Sequence, residues 1–312
     1  LPIAAYLPPG PGLGAVDLAP LTARVAAPLA AGFAARGWLD RAYATAPELP
    51  QATTAERFEA VRQFGRSLAR ADHPVTVVTT LPPQDLQPFG WPDYPWTDLM
   101  GLVDVFAPPA QFYDPASLGS APGRATQTWM GIDRPPYSGC YAIHARPADV
   151  LVLPWQADRV GASALLGGVV NDWPSSPAPQ PDECLLRSGH VLLYPGACFG
   201  LDCPVASVRL KLLRQAMQNA AVARLCEERG LEYVTLPIRQ ALSPYAGSEA
   251  YRTHFADGRA AGWPASSEVF AHARMMMLDA LRGLGGGAET ADAALRRNVA
   301  WRRLAAATRQ VT

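Results

Sequence analysis

The sequence predicts an α/β fold on a parallel sheet or barrel, and three observations predict it. Short β-branched runs alternate with amphipathic helical stretches as far as Gly230, the pattern that feeds parallel strands through crossover helices. The stretch from His190 to Met217 (HVLLYPGACFGLDCPVASVRLKLLRQAM) contains one whole unit of this kind: an apolar strand, a Tyr-Pro-Gly turn, a connection and a basic helix entered through Pro204 and Ser207. The 312 residues are 49% hydrophobic and only 17% charged, so the chain can bury a sizeable core.

In chain order, residues 2–7 (PIAAYL) read as a short strand before a Pro/Gly loop. Asp17 caps a helix that runs to about Arg36 and ends at Gly37. Residues 41–46 (RAYATA) form a strand, and Thr54 opens a helix whose apolar positions Phe58, Val61, Phe64 and Leu68 share one face. VTVVTT from Val75 to Thr80 and LVDVFA from Leu102 to Ala107 are strands, with a weaker one from Thr126 to Met130. Between the first two of these strands lies a loop rich in proline and aromatics, Leu81–Thr97, which suits a ligand lid or rigid packing equally. Helical residues 147–159 lead into Ala162–Val170, an apolar run of the sort buried in parallel sheets. After Gly230 the pattern changes: residues 265–284 and 288–309 are Ala-, Arg- and Leu-rich helices, with Met275, Met276 and Met277 as core filler. The expected division is a partial barrel over residues 1–235 and a helical extension over 236–312, packed on it.

Charge and motifs exclude several functions. Lys+Arg 27 against Asp+Glu 27 gives no net basic field, so neither nucleic acid nor an anionic membrane is an expected partner. No apolar run reaches the roughly 18 residues that a membrane-spanning helix needs, so no membrane insertion is expected. P-loop, dinucleotide, serine-elbow and zinc signatures are all missing, and neither a metal nor a cofactor is expected. The 5 cysteines are Cys140, Cys184, Cys198, Cys203 and Cys226. Cys198 and Cys203 flank a turn and could bridge in an oxidising compartment; buried or idle thiols are the other reading. The chain begins at Leu1, without methionine, which reads as a processed form or a fragment.

Candidate chemistry falls at expected strand ends, where barrels carry their sites. Trp155 and Gln156 flank one strand together with Asn171 and Trp173, Tyr194 follows the next, and Trp129 precedes Asp133 and Tyr137. Tryptophan faces stack on the C–H faces of sugars while amides fix hydroxyls; each of these aromatics could equally be core or rim packing. Hydrolysis of a glycoside needs an acid to protonate the leaving oxygen and a second group to stabilise the oxocarbenium-like centre. Glu48 stands after a strand and before Pro50, where a catalytic carboxylate or a solvated loop residue would sit. Asp104, inside VDVFAP, either orients a site or bonds backbone at a strand end. Arg209 and Arg214 read as helix surface and inter-helix pairing.

Several phrases in order give the chain a resemblance to the catalytic domain of glycoside hydrolase family 123 and its wide relative, domain of unknown function 4091. They are GWLDRAY at 37–43, VDVFAP at 103–108, Trp155-Gln156, GASALL…VVNDW at 161–173, LLYPG at 192–196 and PVASVRLKLLRQAMQ at 204–218, spanning about 37–229. The resemblance implies a TIM-like (β/α)8 barrel, usually preceded by β-sandwich material, and removal of β-linked N-acetylgalactosamine assisted by the substrate's own acetamido group. It also implies a secreted or periplasmic protein whose partner is a glycan or amino sugar.

The resemblance further implies an adjacent Asp-Glu pair followed by proline, and here the chain departs from it. If Pro50 matches that proline, Glu48 replaces the orienting Asp and Leu49 the acid; if Pro47 matches, the pair is Thr45-Ala46. The aromatic pair of the next site strand is Gly167-Gly168. Too little chain precedes Glu48 for the barrel's first strands, so the barrel is expected to be incomplete at its N-terminal side, with a missing barrel portion or β-sandwich domain to cover the edge. The expected sites are therefore Glu48 and Asp104 as catalytic carboxylates, with Asp133 a further partner for Glu48. Trp129, Trp155, Asn171, Trp173 and Tyr194 form the expected sugar platform. The expected function is a glycan-acting hydrolase; the alternative is a carbohydrate-binding or structural domain that has lost the acid.

Overall fold

The computed structural model of the chain describes residues 28–46, 54–69, 75–82, 99, 101–114, 127–168, 170–171, 191–250 and 262–285. Residues 28–34 are helical, and Gly37 follows with φ +68, the left-handed value that stops a helix without a Cβ clash. The strands β1 (Tyr43–Thr45), β2 (Thr76–Thr79), β3 (Val105–Phe106), β4 (Gln127–Gly131) and β5 (Ala164–Leu166) lie in one sheet in that order. Pairing is parallel, with Tyr43 opposite Thr76, Val78 opposite Val105 and Val105 opposite Gln127. The α/β class and the parallel sheet are as expected. The anticipated strands at residues 2–7 and the helices at 17–27 and 288–309 lie outside the described residues, as does most of the proline-rich loop.

The chain divides into two compact units, Leu1–Gly131 with Ala162–Ala164, and Ile132–Gly161 with Leu165–Thr312. In the first, helix α1 (Thr54–Ala69) lays the expected stripe of Phe58, Val61, Phe64 and Leu68 against the sheet, and all four are buried. They share a core with Ala42, Ala44, Ala46, Val75, Val77 and Val103. Each buried Val, Leu or Phe side chain contributes roughly 2 kcal/mol by leaving water. Because Ala42, Ala44 and Ala46 face α1, alternation sends Tyr43 and Thr45 to the opposite face.

The second unit is mostly helical. Pro147–Leu151 (α2) and Leu153–Arg159 (α3) precede β5, and Leu193–Tyr194 (β6) pairs antiparallel with Val205–Ala206 (β7). The long helix α4 (Val208–Glu228), then α5 (Glu232–Leu242) and α6 (Ser267–Gly285) complete it. The predicted cap at Ser207 is in place: its Oγ accepts from Leu210 N–H at 3.2 Å. The two-residue ladder of β6 and β7 replaces what the sequence suggested was an irregular connection. Met276 and Met277 are core as expected, whereas Met275 is 49% exposed. Cys198 is disulfide-bonded while Cys203 is free and exposed, so no Cys198–Cys203 bridge forms across the turn.

Candidate functional site

In the first unit a cavity of about 590 Å³ opens at the N-terminal ends of β1 to β4. Tyr43, Trp129, Asp104, Arg41, Thr76 and Gln127 are among its lining residues. The rings of Tyr43 and Trp129 meet edge to face, 5.2 Å between centroids at 90°. These residues belong to strands three places apart, which on a flat sheet are about 14 Å distant. Their contact therefore requires the sheet to curve around the face that bears them. Burial raises the Tyr43 phenol above its ordinary pKa, so it is a neutral hydrogen-bonding group beside the indole.

Asp104 is tied to backbone. One residue before β3, its N–H donates to Val77 O at 2.9 Å, and its Oδ2 accepts from Val77 N–H at 2.9 Å. The carboxylate thus takes the place of a ladder carbonyl at the start of the sheet. Of its two sequence readings, backbone bonding at a strand end is the one the geometry supports. Glu48 and Trp173 lie outside the described residues.

The second unit holds the other expected residues, and Trp155 is where the sugar-platform expectation fails. It lies in α3, 2% exposed, in a core with Ala148, Leu151, Val152 and the helices α4 to α6. No ring face is left for a sugar. Its neighbour Gln156, fully buried, accepts the Gly139 N–H at 2.7 Å through Oε1. Asn171 is exposed just beyond β5, next to Val170, whose carbonyl accepts from both Leu192 and Leu193 N–H. Asp133 donates its backbone N–H to the Ser138 hydroxyl oxygen at 2.9 Å.

Tyr194 is organised by a residue that sequence reasoning left on the surface. Arg209 is 8% exposed; its Nη2 donates to Tyr194 Oη at 2.7 Å, its Nη1 to Tyr141 O at 3.0 Å, and its guanidinium lies 5.9 Å from the Tyr194 ring centroid. These are charge-assisted bonds on a half-buried phenol. Tyr141 in turn presses its hydroxyl against Gly167, where an added Cβ would come within 2.7 Å of it. Burial raises the Tyr141 phenol, and a hydrogen bond with the Gly168 backbone partly offsets this. Gly167-Gly168, where the resemblance implies aromatics, thus makes room for Tyr141. The only sequence signal for Arg209 was its place two residues after the helix cap.

Among the described residues, no three His, Cys, Asp or Glu side chains are grouped to hold a metal ion. No helix among them is long and apolar enough to cross a membrane. No family model and no curated protein matches this chain.

Proposed function

We propose that the chain is a glycoside-hydrolase-like domain with a TIM-like sheet that engages a glycan by binding, the family 123 resemblance supplying the substrate class. The observation that carries this reading is the Tyr43–Trp129 pair in a cavity of about 590 Å³ that also offers Arg41, Thr76 and Gln127. An indole face stacks on sugar C–H groups, and the surrounding guanidinium, hydroxyl and amide bond its hydroxyls. The curvature that brings rings from β1 and β4 together supports a barrel-like sheet. Binding is favoured over hydrolysis because the adjacent Asp-Glu pair that the resemblance implies reads Glu48-Leu49 or Thr45-Ala46 in this chain, and Asp104 is held by the Val77 backbone. The disulfide at Cys198 supports an oxidising, exported setting.

Titration with N-acetylhexosamines and neutral oligosaccharides, followed by tryptophan fluorescence, tests the reading. Saturable quenching is expected, weakened about tenfold in Trp129→Ala by loss of roughly 1–2 kcal/mol of stacking. A flat signal across the panel would remove it. Chromophore release from an aryl β-N-acetylhexosaminide that disappears in Glu48→Gln would replace binding with hydrolysis.

A further inference from the structure

The second unit carries a groove between α4 and α6 that the cavity reading does not use. It encloses about 380 Å³, and Val208, Lys211, Arg214, Gln215, Gln218 and Arg274 line it. We infer that this groove docks an acidic glycan, one bearing uronate carboxylates or sulfates, an inference that rests on the reading of the domain as glycan-engaging.

Charge is the first ground. Among the described residues that line it, three are cations and none is acidic. The whole chain balances 27 cations against 27 carboxylates, so such a concentration is a local departure. Lys211 is the chain's only lysine. From Val208 to Cys226, α4 contains Arg209, Lys211, Arg214 and Arg224 and no Asp or Glu; its first carboxylate is Glu227, at the far end. The start of the helix adds the positive end of its dipole.

Geometry is the second. Lys211 and Arg214, three apart, sit on one helical face, and Gln215 and Gln218 follow each of them at four residues. Arg274 meets them from α6, its Nη1 donating to Asn219 Oδ1 at 2.9 Å. Asn219 is fully buried, so the guanidinium is anchored by a neutral amide rather than a carboxylate. The stripe from Val208 to Gln218 is about 15 Å long at about 1.5 Å per residue. Its two amides both donate and accept, which suits hydroxyls between the acidic groups, and Val208, 71% exposed, offers an apolar edge to ring C–H groups. A purely ionic partner would make no use of these neutral groups.

Calorimetric titration of the full chain with an oligogalacturonate, and with its methyl-esterified form of the same length, tests the inference. Saturable binding of the acid is expected, several-fold weaker as salt shortens the screening length, with little or none of the ester. The double variant Lys211→Gln, Arg214→Gln, both exposed side chains, should bind about tenfold more weakly with unchanged far-UV circular dichroism. Equal binding of acid and ester, or a double variant as tight as the parent, would overturn the inference. So would a poly-glutamate of equal length that binds at least as tightly, which would assign the groove to an acidic protein segment. Trp129→Ala separates the two readings. Oligogalacturonate binding should survive this change, whereas neutral-sugar binding should weaken. In the parent chain, oligogalacturonate binding without any neutral-sugar signal sinks the cavity alone, and neutral-sugar binding without any oligogalacturonate binding sinks the groove alone.

Discussion

Gly139 shows how a single missing methyl group organises the second unit. A Cβ there would stand 1.9 Å from the Asp149 carbonyl oxygen and 2.7 Å from Val152 Cγ1, both in or beside the α2 backbone. The close approach lets Gly139 N–H reach Gln156 Oε1. It also leaves Asp149, 5% exposed, where its Oδ1 accepts from Trp263 Nε1 at 2.9 Å and from Arg146 Nη2 at 2.7 Å. Gly139→Ala must push the helix backbone aside and disturb that network, at a cost of about 3 kcal/mol or more. The urea midpoint should fall accordingly with an unchanged m-value; a midpoint equal to the parent's would show that the approach is not this close. Such positions explain what the sequence hides. Nothing near Gly139 announces that a carbonyl 10 residues on will occupy its side-chain space. Arg209 is hidden for the same reason, since its partner Tyr141 is 68 residues away.

At the scale of elements, local chemistry decided what was legible. The stripe of α1 declared itself because Phe58, Val61, Phe64 and Leu68 repeat at helical spacing, and all four are buried. Ser207 declared the start of α4 because a hydroxyl before a helix satisfies an otherwise unpaired N–H. Ser207→Ala should cost about 1 kcal/mol, read as a lowered thermal midpoint that Ser207→Asp largely restores. If Ser207→Ala melts like the parent, the cap is not supporting the helix. The Trp155 platform failed although its correction was present in the spacing: Ala148, Leu151, Val152 and Trp155 follow the periodicity of a buried helical face, and all four lie in one core. The ladder of β6 and β7 gave no such sign, because strands of two residues carry too little alternation to register. The candidate cavity was half legible. Trp129 and Asp104 were picked out, but Tyr43 joins them only through the curvature of the sheet.

For the molecule as a whole, buried phenols predict how it fails in alkali. Burial raises the pKa of Tyr43, Tyr113 and Tyr141 above the ordinary 10.0, with the Thr128 hydrogen bond at Tyr113 and the Gly168 backbone at Tyr141 acting the other way. The first two belong to one compact unit and the third to the other, so both are exposed to the same effect. An unfolded phenol ionises near 10, whereas these keep their protons to higher pH in the folded chain. In that interval the folded state binds more protons than the unfolded one, so stability falls as pH rises. Below the unfolded value the three contribute fully, and their contribution is lost as pH passes through the raised folded values. Urea melts from neutral pH upward should therefore hold steady until about pH 10 and then decline. Phenolate absorbance from these residues should appear together with the loss of far-UV circular dichroism. Tyr113→Phe and Tyr141→Phe should each flatten the decline, because a ring that cannot ionise has no preference between the two states. Complete phenolate absorbance in a chain that still shows native circular dichroism would mean that these hydroxyls are open to water, and the packing of Tyr113 against Thr128 and of Tyr141 against Gly167 would have to be abandoned.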